Sequence, residues 1–155
     1  MEIGIIVYSQ TGHTLEVCEK LKDRFIGEGQ SVSLERVTVV GERVSGARSF
    51  ELQNRPDPSP FDAIVFASYV EAFSLCSVME QYIRDLESLE DKKVACLVTQ
   101  QLPYAWMGGR RAIRQMTSLC GSKGAVIRAG AVVNWAQSRR NQSIETSVAQ
   151  LSKAL

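Results

Sequence analysis

The sequence lacks the residue pairings from which several common functional sites are built. It contains one histidine and four cysteines, and no two cysteines form a CxxC pair. We therefore predict no metal site. The cysteines are far apart, and three of the four stand in apolar segments, so we expect buried free thiols in a reducing cytoplasm. These cysteines are Cys18, Cys76, Cys96 and Cys120.

Long hydrophobic runs are also missing. No segment approaches the roughly 18 apolar residues of a membrane-spanning helix. The opening apolar run is only about six residues long, and we expect no signal peptide. The chain has 155 residues, of which 45% are hydrophobic and 23% charged, with no internal repeat and no low-complexity segment. These values are typical of one globular domain, so we predict a single domain over residues 1–155, a cytoplasmic location and no membrane partner.

The most informative stretch that is present is a polar loop near the start of the chain. It follows an apolar, β-branched run at residues 3–8, which predicts a buried parallel strand, and it precedes an amphipathic helical pattern. A loop at a helix N-terminus binds phosphate well, because the first-turn N–H groups are unpaired and hydroxyl groups add donors. Glycine lets the backbone approach the anion closely, whereas an N-cap without a ligand is the alternative interpretation. The loop residues are Ser9, Gln10, Thr11, Gly12, His13 and Thr14.

Apolar segments alternate with helical patterns along the whole chain. The alternation predicts βαβ units and an α/β fold, in which a doubly wound, five-stranded parallel sheet is covered by helices on both faces. We expect the common strand order 2-1-3-4-5. Arg128 within the fifth strand predicts that this strand lies at an edge. A crossover helix is expected near residues 45–52, and the five strands are expected at residues 3–8, 32–39, 62–67, 94–98 and 125–133.

Two further loops should meet the first one. In such a sheet, ligands bind beyond the carboxyl ends of the strands, where the strand order reverses. The loops after the first, third and fourth strands converge at this point, with phosphate donors at one end and aromatic faces and amides at the other. This combination is typical of a site for a nucleotide-like ligand. The candidate residues of the second and third loops are Ser68, Tyr69, Val70, Glu71, Ala72, Phe73, Gln100, Gln101, Tyr104, Trp106, Gly108 and Gly109.

These motifs resemble those of the flavodoxin-like family, in particular the short proteins that bind flavin mononucleotide (FMN). Ser9, Thr11, Gly12 and Thr14 match the phosphate signature Ser/Thr-x-Thr-Gly-x-Thr of that family. The other two loops are similar to its flavin-ring loops, and the similarity covers nearly the whole chain. The resemblance implies FMN as cofactor, its phosphate on residues 9–14 and its ring near residues 69 and 106. Asparagine is frequent in the family at the position of His13.

The resemblance implies a redox function in one of two versions. One is electron transport between redox partner proteins. The other is a small oxidoreductase that takes hydride from a nicotinamide donor and passes electrons to a small-molecule acceptor. Flavodoxins are usually acidic and carry a glycine beside the ring, whereas this chain has a net charge of +1 and no glycine at residues 68–74. Both departures favour two-electron chemistry. We predict no catalytic side chain, since His13 has no visible acidic partner, and a homodimer is compatible with the sequence.

The alternative is a binding or regulatory module of the same fold without flavin. A response-regulator receiver is excluded, because Tyr8-Ser9-Gln10 supplies no acidic residue at the end of the first strand. Residues 1–100 carry a net charge of −6 and residues 101–155 one of +7. Two interpretations of this asymmetry are open. Either the basic residues form a surface for an anionic partner, or the fold mixes the acidic and basic residues in space. Basic and aromatic residues are not interleaved in this third of the chain, so we predict no nucleic-acid partner.

Overall fold

A computed structural model describes residues 1–44, 47, 49–101, 104, 107–136 and 140–155. No helix in these ranges combines the length and the apolar character that crossing a lipid bilayer requires. The helices are α1 (His13–Gly27), α2 (Ser77–Asp85), α3 (Gly109–Ser122) and α4 (Arg140–Ala154). The strands are β1 (Glu2–Val7), β2 (Ser31–Arg36), β3 (Thr38–Val39), β4 (Leu52–Asn54), β5 (Ala63–Glu71), β6 (Ser74–Leu75), β7 (Lys93–Gln100) and β8 (Val126–Asn134).

Five parallel strands form the main sheet in the order β2-β1-β5-β7-β8. The predicted α/β fold and the predicted strand order are therefore confirmed. At the centre of the sheet, Ile5 lies opposite Leu34 of β2 on one side and opposite Val65 of β5 on the other. Strands β1 and β7 are buried along their length except for the first residue. Helices cover both faces, which explains why these strands read as continuous apolar runs.

The helices divide between the two faces of the sheet. Helices α1 and α4 pack on one face, where Leu21 and Leu151 belong to the same buried cluster. Helices α2 and α3 pack on the opposite face, where Met79 and Met116 share the second cluster. Each helix buries one stripe of residues spaced three or four apart, as amphipathic helices do. The carboxyl ends of the strands are left open between the two helical layers.

Strand β8 forms one edge of the sheet, as predicted from Arg128. Its first part is exposed, including Val126, Ile127 and Arg128, whereas Ala131 and Val133 further along are buried. Charge at a sheet edge prevents pairing with another strand.

The described residues of the connection between β2 and β5 form no helix at residues 45–52, where the sequence predicted one. Strand β3 pairs antiparallel with β4, whose first residue is Leu52. The backbone N–H of Val40 donates to the carbonyl oxygen of Glu51 at 2.8 Å, which satisfies these groups without a helix. The prediction is wrong for the described residues, while residues 45, 46 and 48 of that segment lie outside them. The β-branched Thr38 and Val39 favour this ribbon.

The predicted loop at residues 68–74 is mostly regular structure. Strand β5 continues to Glu71, turns at Ala72 and Phe73, and returns as β6, so that Val70 pairs with Leu75. Ala72 has a φ of 49° and Phe73 a φ of 63°, and both therefore occupy the left-handed region. A two-residue hairpin turn requires this backbone, although glycine and asparagine are the usual residues there. The two side chains cost roughly 1–2 kcal/mol each in this conformation.

Candidate functional site

A crevice of about 250 Å³ lies at the carboxyl ends of β1, β5 and β7. The loops that the sequence predicted to converge do meet here. Nine of the predicted site residues line the crevice, and Thr99 at the end of β7 is a further lining residue that the sequence reasoning missed. Because the crevice lies where the strand order reverses, it is the expected ligand position for this fold. The nine residues are Gln10, Thr11, His13, Tyr69, Val70, Glu71, Ala72, Gln100 and Gln101.

The first loop presents the start of α1 to the crevice. Gly12 precedes the helix with a φ of 91°, and its backbone N–H donates to Ser9 Oγ at 3.1 Å. No side chain of a described residue caps α1, so its first-turn N–H groups keep their capacity to donate to a ligand. The loop contains no lysine or arginine. An anion at this position would therefore be held by neutral donors and by the positive end of the helix dipole.

Beneath the first loop, Thr14 connects three strand ends. Its side chain is 1% exposed and its Oγ1 lies 2.8 Å from Thr99 Oγ1. It also donates to the carbonyl oxygen of Ser68 at 3.3 Å. Thr14 and Ser68 thus join the loop after β1 to β5 and β7 without lining the crevice. Their direct contact with a ligand stays a prediction.

On the second side of the crevice, Arg43 forms a buried ion pair with Glu71. The guanidinium nitrogens lie 2.6 and 2.8 Å from the two carboxylate oxygens, and the side chains are 1% and 10% exposed. Arg43 also donates to Ser77 Oγ at 2.8 Å and to the carbonyl oxygen of Ala47 at 2.9 Å. Hydrogen bonding to Glu71 raises the pKa of Arg43 further, so that the guanidinium stays protonated. The sequence reasoning missed Arg43, and the only available signal was the long connection that contains it.

Tyr69 links the first and second sides. Its hydroxyl donates to Gln10 Oε1 at 2.9 Å and accepts from Arg43 at 3.3 Å. Its ring stacks on Tyr8, with the ring centroids 6.0 Å apart. Burial raises the pKa of the Tyr69 phenol well above its usual value, so the hydroxyl remains protonated and keeps its donor role. Tyr69 therefore gives the crevice an aromatic wall, and the hydrogen bonds of its hydroxyl fix the orientation of the ring.

On the third side, His13 is part of a stack. Its ring lies parallel to Trp135 with the centroids 4.1 Å apart, and Arg140 lies over the same indole at 4.7 Å. His13 Nδ1 is 3.0 Å from Gln101 Nε2. Trp135 follows β8 and was not predicted, because nothing near it in the sequence marks it as a site residue. The predicted aromatic Trp106 lies outside the described residues.

Gln100, which lines the crevice, and Gly108 and Gly109, which do not, position the elements around it. Gln100 Nε2 donates to Asn134 Oδ1 at 2.6 Å, which ties β7 to β8. A Cβ atom on Gly108 would lie 2.8 Å from Phe73 Cα, and one on Gly109 would lie 2.6 Å from a methyl group of Val132. These glycines therefore allow α3 to begin directly against the hairpin and β8. The predicted, described residues outside the crevice lining are Ser9, Gly12, Thr14, Ser68, Phe73, Tyr104, Gly108 and Gly109.

Cys18 and Arg24 have the Cys-x5-Arg spacing of low-molecular-weight phosphatases. Both lie inside α1, and the Cys18 side chain is fully buried. Burial raises the pKa of this thiol far above its usual value, which leaves it protonated and unreactive. Arg24 pairs with Glu28 at 2.8 Å on the helix surface. The spacing therefore falls within a helix, and it forms no phosphate-binding loop.

Comparisons with known proteins identify the fold. No protein-family profile and no curated protein sequence matches the chain. Among solved structures, a flavodoxin from Streptococcus pneumoniae TIGR4 is 17% identical with a TM-score of 0.68, and the match covers 100% of both chains. Flavodoxin 2 from Bacillus cereus is 14% identical with a TM-score of 0.69 over 100% of both chains. A flavoprotein from Lactobacillus acidophilus, solved in complex with FMN, is 13% identical with a TM-score of 0.64 over 94% of this chain and 98% of that one. The chain therefore has the flavodoxin fold.

Proposed function

We propose that this chain is an FMN-binding redox protein and that the crevice between β1, β5 and β7 holds the flavin. The observation that carries the proposal is the uncapped start of α1, which opens beside an aromatic-walled crevice at the switch point of the sheet. The likeness to flavodoxins supports it, and the L. acidophilus flavoprotein has FMN in its structure. Bound FMN would supply reversible acceptance of electrons or hydride.

The residues of the crevice fit the two ends of such a ligand. The first-turn N–H groups of α1 and the exposed hydroxyl of Thr11 would donate to the phosphate. At the other end, Tyr69 and Val70 offer aromatic and apolar surface to a planar ring. Gln101 has an amide that can donate to ring oxygen atoms. Glu71 brings no uncompensated negative charge to this end, because Arg43 neutralises it.

We further propose two-electron chemistry, with a nicotinamide donor and a small-molecule acceptor. Arg110 and Arg111 are exposed at the start of α3, directly after the third loop, and positive charge near the ring would stabilise its anionic reduced form. The second argument from the sequence, the missing loop glycine, loses its force. Ala72 and Phe73 already have positive φ values without glycine. Charge therefore carries this part of the proposal, and an electron carrier is the competing version.

The first experiment is a flavin-binding measurement on the purified chain. We expect one FMN per chain to survive gel filtration, with the flavin absorption band retained. Thr11→Ala should weaken FMN binding by about tenfold to a hundredfold, since a hydrogen bond to a charged group contributes roughly 1.5–3 kcal/mol. The matched control is Thr146→Ala, which removes an exposed threonine from α4. A folded chain that retains no flavin would reject the proposal in favour of a module without flavin. Equal FMN affinities of the two variants would reject the placement of the phosphate beside Thr11.

A reductive titration of the FMN complex separates the two redox versions. We expect the bound flavin to take up both electrons in a single step. Two well-separated one-electron steps would instead support electron transport between redox partner proteins. The predicted cytoplasmic location is compatible with four free, buried cysteines.

A further inference from the structure

Three arginines form a single exposed face on α3. Arg110 and Arg114 are four residues apart and Arg111 and Arg114 three, so their side chains are neighbours on the helix surface. All three residues are exposed, whereas Ala112 and Met116 on the opposite side are buried against the sheet. We call Arg110, Arg111 and Arg114 the arginine face. Part of the positive charge of residues 101–155 is thereby concentrated at one place in the fold.

The positive charge of the arginine face is not neutralised within the described part of the chain. Helix α3 contains no aspartate or glutamate. None of the three guanidinium groups forms an ion pair or a hydrogen bond with a described residue. Like charges at this spacing destabilise a helix. The arrangement costs stability in the isolated chain, which indicates that its benefit lies in binding.

Two exposed aromatic residues have their backbones close to the residues that precede α3, since the N–H of Met107 donates to the carbonyl oxygen of Tyr104 at 2.9 Å. Phe73 at the hairpin turn is 57% exposed and Tyr104 is 56% exposed. The hairpin lies against the helix start, because a Cβ on Gly108 would be 2.8 Å from Phe73 Cα. Aromatic residues and arginine are the side chains most enriched at the centres of protein–protein interfaces. We define the docking surface as Phe73, Tyr104, Arg110, Arg111 and Arg114.

The docking surface continues into a shallow groove between α3 and the edge strand β8. Arg111, Arg114 and Ile127 line this groove, and Ile127 is 38% exposed. Aliphatic surface beside guanidinium groups suits a protein partner. A nucleic acid would instead require aromatic side chains between the basic ones, for base stacking along a strand. Here α3 contains no aromatic residue between its arginines.

We propose that the docking surface binds a partner protein through an acidic patch, in which carboxylates contact the arginine face and an apolar centre covers Phe73. Charge complementarity selects this partner and would speed its association. The surface stands on α3 and the hairpin turn and does not depend on bound flavin. Since the same hairpin lines the crevice, the partner would sit at the rim of the candidate functional site.

Polypeptide probes of defined composition test the proposal. The full chain is titrated with poly-L-glutamate, with a random copolymer of glutamate and tyrosine, and with an oligothymidylate of equal charge. We expect the copolymer to bind most tightly, and its binding to weaken as salt rises from about 50 to about 200 mM. Replacing Arg110, Arg111 and Arg114 together by alanine should weaken both polypeptides by about tenfold or more. Phe73→Ala should remove the preference for the copolymer.

The matched control removes the same charge elsewhere. Lys20, Arg36 and Arg55 are exposed and lie outside the docking surface, so their triple alanine variant should bind as the unmodified chain does. Three outcomes would overturn the proposal. They are an equal loss of polypeptide affinity in both triple variants, tighter binding of the oligothymidylate than of the polypeptides, and no binding of either polypeptide. Each titration is run with and without FMN. Docking that persists in a chain unable to bind FMN supports this surface while rejecting the proposed flavin function.

Discussion

At the scale of single residues, the ion pair Arg43–Glu71 has a high desolvation free energy and short hydrogen bonds between its two side chains. Both side chains are nearly buried, and removing two charges from water costs several kcal/mol per ion. Two hydrogen bonds between them and a third to Ser77 offset that cost. The pair connects the β3–β4 region to the hairpin beside the crevice. Breaking it should therefore affect stability more than the removal of any surface ion pair.

We predict that Arg43→Met lowers the free energy of unfolding by about 3–5 kcal/mol, because it leaves the Glu71 carboxylate buried without its partner. The double variant Arg43→Met/Glu71→Leu should recover part of that loss, since no uncompensated charge remains. Urea unfolding monitored by circular dichroism gives both values.

The control for the ion pair is Arg84→Met. Arg84 pairs with Glu80 at 2.6 Å, but its side chain is 59% exposed. Exposed pairs contribute little, so this variant should lose less than about 1 kcal/mol. Equal losses for Arg43→Met and Arg84→Met would show that the buried pair has no special role.

The site residues that the sequence could predict are those whose position follows from chain order. Tyr69 lies near the end of β5, Gln101 directly follows β7, and Gln10 lies three residues after β1. Parallel strands bring such positions to one edge of the sheet. Arg43 and Trp135 could not be found in this way. Their partners Glu71 and His13 are distant along the chain, and contacts at such separation depend on packing that no local pattern encodes.

At the scale of secondary-structure elements, the start of α3 depends on close packing against the hairpin. Gly108 has a φ of 115°, and an added Cβ would lie 2.7 Å from Val70 Cγ1. Both the backbone conformation and the available space therefore require glycine. Gly121 near the end of α3 differs, because an added Cβ would have no neighbour within 4 Å.

We predict opposite effects for two glycine substitutions in this element. Gly108→Ala should destabilise the chain by about 2 kcal/mol or more, through left-handed strain and overpacking. Gly121→Ala should stabilise it by up to about 1 kcal/mol, since alanine is the better helix former. Thermal unfolding of both variants measures the contrast, and a stabilised Gly108→Ala variant would contradict the packing described here.

The elements that the sequence predicted correctly are those with a strong apolar period. Strands around Ile5, Val65 and Leu97 were found because burial on both faces selects uninterrupted apolar residues. The crossover helix at residues 45–52 and the loop at residues 68–74 were wrong for their described parts. In both places backbone pairing with a distant segment decided the structure, as between Val40 and Glu51, and local composition did not reveal it.

At the scale of the whole molecule, the buried thiols couple stability to pH. Burial raises the pKa of Cys18 and Cys76, and a hydrogen bond that the Cys96 thiol donates to Cys120, together with burial, raises the pKa of Cys96. In the unfolded chain these thiols ionise near their usual pKa of about 8.5. Above that pH the folded state binds more protons than the unfolded state, so stability falls as pH rises.

We predict that the free energy of unfolding is greatest below about pH 8 and declines above about pH 8.5. Each buried thiol contributes a slope of up to about 1.4 kcal/mol per pH unit. Urea unfolding under reducing conditions between about pH 7 and pH 9.5 measures the decline. Cys18→Ala should make the slope shallower, whereas Ser147→Ala, a buried residue that does not titrate, should leave it unchanged. Identical slopes in all three proteins would contradict the prediction.

The fold as a whole was predictable because the alternation of strands and helices leaves few topologies. The distribution of charge over the surface was less predictable than the fold. The sequence left open whether folding would even out the positive charge of residues 101–155. The structure concentrates Arg110, Arg111 and Arg114 on one helix face because they share a helical period, and it places Arg128 at the sheet edge and Arg140 over Trp135.

The stack of His13, Trp135 and Arg140 makes Trp135 an intrinsic fluorescence probe of the crevice. Indole emission depends on the groups in contact with the ring, and here one contact is the first residue of α1. Any ligand that displaces His13 changes the environment of Trp135 and hence its fluorescence. In a Trp106→Phe background, where Trp135 is the sole tryptophan, occupancy of the crevice can be followed in real time without an added dye.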